Sequence, residues 1–288
     1  MATQPLIVIV GPTASGKTEL AINVAKRIGG EIICADSRTV YKGMDIGTAK
    51  PTSKEREEVR HWGLDLVHPN QRFTVADFQD YAKRKIQDIR ERGLCPIIVG
   101  GTGLYVDAVV FDYELGPKSD EHVRDKLENM TINELQNYCY ENNINLPENI
   151  KNKRYVIRAI EQKSVNNKRR SKPIKNCYIV GITTEKEVLL ERIGRRSTKI
   201  FDQGVIEESR RLASEYGWDH EAMTGNIYPL CRLYIDGAVS LDYIKEKFRT
   251  LDWRLAKRQI TWLKRNEYIN WFTLDDAEQY ILSLFKSE

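Results

Sequence analysis

Residues 11–18 read GPTASGKT, a G-x-x-x-x-G-K-T pattern whose chemistry is anion binding. Gly11 and Gly16 let backbone N–H groups turn inward around phosphate oxygens, with Pro12, Thr13, Ala14 and Ser15 forming the loop between them. Lys17 supplies a point charge, and the Thr18 hydroxyl is a ligand suited to Mg²⁺. A helix starting here would add its positive N-terminal end. A tight turn that merely needs glycine would not call for Lys-Thr at those places. ATP, GTP or any diphosphate ester would suit such a loop. Two further residues stand where chemistry is expected. Asp36 follows an apolar run and can act as a general base or Mg²⁺ partner, or as a carboxylate capping the next turn. Thr102, between Gly101 and Gly103, can donate a hydrogen bond to a substrate or cap a helix, and the two roles are compatible.

These residues need elements to hold them. Residues 6–10 form a continuous apolar, β-branched run, as in a buried parallel strand. Leu20, Ala21, Val24 and Ile28 then fall on one helical face, and Gly29-Gly30 stops the helix. Residues 31–35 read as a second strand ending at Asp36. A long amphipathic helix is expected from Thr74 to about Arg92, and a strand over 96–99 leads into Gly100-Gly101-Thr102-Gly103. Strands alternating with helices predict an α/β fold: a P-loop NTPase-like parallel sheet flanked by helices. In such sheets ligands bind outside the carboxyl ends of the strands, so Gly11, Asp36 and Thr102 are expected around one crevice. Residues 116–173 contain helical stretches and no convincing strand, and read as a small helical insertion between core segments 1–115 and 174–288. Residues 176–183 return to strand character. The remainder reads as helices, with one short strand near 270–273.

The chain has 288 residues, 41% apolar and 30% charged, with a net charge of +4, so bulk charge says little about partners. Five cysteines without CxxC spacing argue against a zinc site or disulfide framework and suggest reduced thiols. No apolar run reaches transmembrane length, and the first residues do not read as a signal peptide. A cytoplasmic monomer is the expectation. The four histidines show no metal-ligand spacing.

Several blocks together resemble the tRNA dimethylallyltransferases, also called tRNA isopentenyltransferases. They are GPTASGKT at 11–18, ADSRTVYKGMDIGTAKP at 35–51, FTVADF at 73–78, PIIVGGTGLYVDA at 96–108, KRYVIRAIE at 153–161 and AKRQITW at 256–262. The resemblance implies transfer of dimethylallyl from dimethylallyl diphosphate to N6 of the adenosine at tRNA position 37. The P-loop would then hold a leaving diphosphate, with Lys17 and Mg²⁺ on Thr18 stabilising its charge. Asp36 would accept the N6 proton and Thr102 would position adenine or diphosphate. Asp36, Ser37, Arg38 and Thr39 would contact the target nucleotide. Arg124, Arg154 and Arg158 in the insertion, with Lys257 and Arg258 near the C-terminus, would hold the tRNA anticodon stem-loop. The chain departs from the family where DSRTVY replaces a DS-x-Q-x-Y pattern, where HWGLD replaces HHLID, and in NIYPL at 226–230. It also lacks the C-terminal zinc finger of some eukaryotic relatives, which favours a bacterial-type member.

Residues 151–172 hold nine Lys or Arg and one acid, Glu161. Basic residues 249, 254, 257, 258, 264 and 265 interleave with Trp253 and Trp262 on a second helical stretch. Basic faces attract phosphates and aromatics stack on unpaired bases, although charged helical faces are commonly just solvated and the tryptophans at this spacing read first as core. Two other enzymes share parts of this pattern. A small-molecule kinase would use the P-loop with Arg192, Arg195 and Arg196, and an adenylate isopentenyltransferase would act on free AMP without needing extended basic surfaces. A nucleotide-dependent RNA-binding module would need neither Asp36 nor Thr102.

Overall fold

A computed structural model of the protein describes residues 4–115, 121–162 and 170–285. Six strands form one all-parallel sheet in the order β3-β2-β4-β1-β5-β6. They are β1 (Leu6–Val10), β2 (Gly30–Cys34), β3 (His61–Trp62), β4 (Cys95–Gly100), β5 (Cys177–Ile182) and β6 (Asn270–Phe272). The expected parallel α/β sheet is therefore present. β3 is a two-residue edge strand that the sequence did not announce.

The helices of the core are α1 (Lys17–Ile28), α2 (Ser53–Glu58), α3 (Val75–Glu91) and α4 (Gly103–Val110), then α8 (Lys186–Asp202), α9 (Val205–Tyr216), α10 (Tyr228–Ile235), α11 (Leu241–Leu263) and α12 (Leu274–Ser283). The insertion carries α5 (Glu121–Asn129), α6 (Ile132–Glu141) and α7 (Lys153–Gln162). One sheet face, including Ile7, Ile9, Ile32, Ile97 and Val180, packs on Leu20, Val24, Ala277 and Ile281 of α1 and α12. Alternate residues Leu6, Val8, Ile33 and Ile98 are fully buried too, so the strands are covered on both faces and show no polar alternation. Thr74 caps α3 with Asp77 in a reciprocal capping box, fixing where the helix predicted from Thr74 begins.

The chain divides into two compact units, residues 1–110 with 173–288, and residues 111–172. The smaller unit has its own core of Leu127, Leu135, Cys139, Val156, Ile157 and Ile160, drawn from α5, α6 and α7. No strand occurs among its described residues. Lys163, Lys168 and Arg169 of the basic run lie outside the described residues.

In the larger unit the segment after β2 forms a non-helical turn held by buried charge. Glu208 of α9 accepts the backbone N–H groups of Asp45, Ile46 and Gly47 at 2.8–2.9 Å and the Tyr228 hydroxyl at 3.0 Å. The Lys50 side chain is fully buried and donates to Tyr41 O, Asp45 Oδ1 and Asp65 Oδ1 at 2.6–2.8 Å. Buried charges survive only when so paired. This network explains physically the DIGTAK stretch picked out in the sequence.

Candidate active site

Sheet order brings the chemistry together. β4 lies between β2 and β1, so the loops following these three strands are neighbours at their carboxyl ends. Gly100 permits the closest approach: a Cβ there would lie 2.0 Å from Ala35 O. The loops line a cleft of about 640 Å³ bordered by Thr13 to Thr18, Asp36 to Thr39, Thr102 and one side of α11.

The loop before α1 has the shape of an anion cradle. Ala14 and Gly16 take positive φ, 62° and 90°, and Gly16, the residue that caps α1, has no side chain to satisfy the helix's first N–H groups. The Ser15 hydroxyl is buried without a hydrogen-bond partner, which is costly unless a ligand supplies one. Distant helices brace the loop. Thr13 N donates to Gln259 Oε1 of α11 at 2.7 Å. From α8, Arg192 Nη1 donates to Ser15 O at 3.1 Å, and Arg196 reaches the Thr13 hydroxyl.

Lys17 Nζ folds back to Pro12 O at 3.0 Å. Burial lowers its pKa from 10.5 to about 8; Asp36 raises it and Arg196 lowers it further. The Lys17 ammonium is thus less favoured in the free protein than in water, and an anion beside it would offset that cost. Cys34, also in the cleft wall, has its thiol pushed up to about 12 by burial and then by Asp36, so it stays protonated and is no nucleophile. The His61 pKa is held below its usual range, chiefly by burial.

Asp36 Oδ1 accepts Arg38 N at 2.8 Å, a local turn that holds the carboxylate at the cleft. The Thr102 carbonyl accepts the first bonds of α4, from Tyr105 N and Val106 N, while its hydroxyl accepts Ser37 N at 3.2 Å. Thr102 thus starts a helix and ties the β4 loop to the Asp36 loop. Arg38 turns from the cleft floor to a short 3-10 segment, Glu221–Thr224, donating to Glu221 O at 2.7 Å and Thr224 Oγ1 at 3.1 Å. Thr39 is buried, its hydroxyl 3.4 Å from Asp36 O.

Of the basic residues singled out, Arg258 lines the cleft, whereas Lys257 is exposed with its ammonium 5.7 Å from the Trp253 ring. Trp253 and Trp262 are half-buried, as a packing role requires. In the smaller unit Arg154 is exposed, and Arg158 lies 3.4 Å from Glu161. The Arg124 side chain is mostly buried and paired with Glu128 and Glu161 at 2.7 Å, which leaves it less of its charge to offer phosphates. Gln259, Asn226 and Asp252 also border the cleft and carried no distinct sequence signal of their own, though Gln259 sat within AKRQITW and Asn226 within NIYPL.

Among the described residues no group of three His, Cys, Asp or Glu could hold a metal. The oxygen set here is sparse: the Thr18 hydroxyl and the Asp36 carboxylate border the same cleft. That fits Mg²⁺ arriving with a diphosphate, since Mg²⁺ keeps waters and takes few protein ligands beside phosphate oxygens.

Comparison with known proteins places this arrangement. The IPP transferase family matches residues 39–266. A tRNA dimethylallyltransferase of Anoxybacillus flavithermus is 39% identical over 95% of this chain and 91% of its own length. That of Geobacillus thermodenitrificans is 39% identical, with 98% and 94% covered. The crystal structure of a tRNA isopentenylpyrophosphate transferase from Bacillus halodurans superposes with a TM-score of 0.74 at 37% identity, covering 98% of this chain and 94% of that one. A eukaryotic dimethylallyltransferase acting on tRNA shares the fold, with a TM-score of 0.77 at 22% identity, covering 96% of this chain and 76% of that one. With a family match across most of its length and relatives this similar from end to end, the chain belongs to the IPP transferase family.

Proposed function

We propose that the protein transfers a dimethylallyl group from dimethylallyl diphosphate to N6 of adenosine 37 in tRNA, as the names of its relatives suggest for the donor and for tRNA. The observation that carries this reading is one cleft holding both an anion-binding loop and a carboxylate with a hydroxyl beside it. The loop of residues 11–18 and the guanidinium of Arg196 bind the diphosphate. Lys17 neutralises charge on the leaving oxygen as the C1–O bond breaks. The Thr18 hydroxyl would hold Mg²⁺, which would supply further charge neutralisation on the leaving diphosphate. Adenine N6 forms the new bond to C1, and its proton passes to Asp36. Ser37, Thr39 and Thr102 border the acceptor side. A base stacked in an anticodon loop must be extruded to reach the cleft. Arg154, Arg158, Lys257 and Arg258 hold the anticodon stem-loop, and the enzyme works as a cytoplasmic monomer. No helix among the described residues is long and apolar enough to cross a membrane.

The test is incubation with labelled dimethylallyl diphosphate, ATP, AMP and unmodified tRNA, with and without chelator. Label in tRNA as N6-dimethylallyladenosine, lost in chelator, is expected. Label in AMP alone, or phosphoryl transfer from ATP, would overturn the reading.

A further inference from the structure

Asp252 is a carboxylate that the reaction above leaves unused. It stands seven residues before Gln259 on α11, so the two share a helix face, and both border the cleft. It is 3% exposed. Its Oδ1 accepts Asn226 Nδ2 at 3.2 Å, which fixes the plane of the carboxylate. Its Oδ2 is buried and has no hydrogen-bond partner. Arg196 Nη1 lies 3.7 Å from that oxygen, within ion-pair range but short of a hydrogen bond, and Arg196 Nε is also buried and unpartnered. The same Nη1 reaches the Thr13 hydroxyl in the anion-binding loop.

A bare carboxylate in an anion site would repel the ligand, and burying it with an open oxygen is expensive. The position makes sense if its charge acts on the guanidinium in front of it. Asn226, Asp252, Arg196 and Thr13 then form one chain of contacts running from the far wall to the anion loop. We infer that Asp252, oriented by Asn226, is a positioning residue that holds the Arg196 guanidinium against the loop so that it meets the diphosphate already aligned. This rests on the reading of residues 11–18 as the diphosphate site. It assigns to two of the residues that lacked a sequence signal a role exerted through a third. Arg suits the place because its guanidinium stays charged and presents several directed donors to a diphosphate.

The test is a double-mutant cycle in the full chain, with Arg196→Ala, Asp252→Asn and the pair. Inorganic diphosphate is the binding probe, beside KM for dimethylallyl diphosphate, KM for tRNA and Tm. Arg196→Ala should weaken diphosphate binding roughly 10- to 100-fold, the usual worth of a hydrogen bond to a charged group. Asp252→Asn should weaken it roughly 3- to 30-fold, as expected for coupled neighbours. The pair should be no worse than Arg196→Ala alone. Tm of Asp252→Asn should hold or rise, because an incompletely paired buried charge is removed. Asn226→Ala should shift diphosphate binding in the same direction with KM for tRNA unchanged, and serves if the Asp252 variant folds poorly. Additive losses in the cycle would overturn the proposal alone, as would a fall in Tm accompanied by equal losses for donor and tRNA. Normal diphosphate binding by Arg196→Ala would overturn it together with the diphosphate reading of the cleft.

Discussion

Asp36 and Lys17 divide the proposed chemistry between accepting a proton and neutralising a leaving group. Asp36→Asn keeps the Arg38 N–H bond, because the amide oxygen can still accept it, and removes the base. The single-turnover rate should fall by about 10²–10⁴, the range for a positioned general base, with tRNA affinity little changed. A variant of normal rate would leave Asp36 as a turn residue only. Lys17 gives a pH signature whose sign follows from its pKa of about 8, lowered from 10.5. Between those values the unfolded chain holds a proton that the folded chain has released, so this group makes the free protein more stable as pH rises through that range. Donor binding runs the opposite way, since a diphosphate needs the ammonium. KM for dimethylallyl diphosphate should be flat below about pH 8 and then rise about tenfold per unit. Lys17→Met should bind donor weakly with that rise absent. A wild-type KM that stays level up to pH 10 would show that the Lys17 charge does not matter to the donor.

Among the elements, α11 joins the loop at 11–18 to α4. Its Gln259 holds Thr13 N, and its Trp262 lies over Gly103 while donating to Asp107 Oδ2 at 2.8 Å. A Cβ at Gly103 would lie 2.1 Å from the Trp262 ring, so only glycine lets α4 and α11 approach this closely. Gly103→Val should therefore push the end of α11 away, costing about 1–3 kcal/mol of stability as overpacking does. It should also raise KM for the donor, because Gln259 moves with the helix. Thermal melts and donor kinetics on the one variant check both effects. A lower Tm with unchanged donor KM would mean that the Gln259 brace is dispensable.

At the scale of the whole molecule, a folded core unit carries the cleft, and a separate helical unit with its own apolar centre carries Arg154 and Arg158. Phosphate contacts release counterions, so tRNA binding should weaken steeply with salt. Lys257→Ala with Arg258→Ala should raise KM for tRNA and flatten that salt slope, as should Arg154→Ala with Arg158→Ala. Binding of dimethylallyl diphosphate should survive in the second pair. Equal slopes for wild type and both double variants would assign these residues to solvation. Replacing Arg124 is expected to cost stability more than tRNA affinity, because the buried Glu161 would lose its 2.7 Å partner and keep only Arg158 at 3.4 Å.

The sequence by itself determined the glycine-rich loop at 11–18, the main strands, the helical character of the insertion and the placing of Asp36 and Thr102 at strand ends. Each is a local signal: apolar runs, helical spacing, glycine at turns and a fixed motif. The two-residue β3 escaped because so short a strand has no period to read. Only the tertiary structure decided how the site is braced. Thr13 and Gln259 stand 246 residues apart, and helical periodicity cannot say which turn of α11 faces a loop at the other end of the chain. It likewise decided that Glu208 and Lys50 shape the turn after β2, and that Arg196, Asp252 and Asn226 meet. A buried ion pair leaves no local mark in sequence, because its partners look like ordinary surface charges until packing removes the water around them.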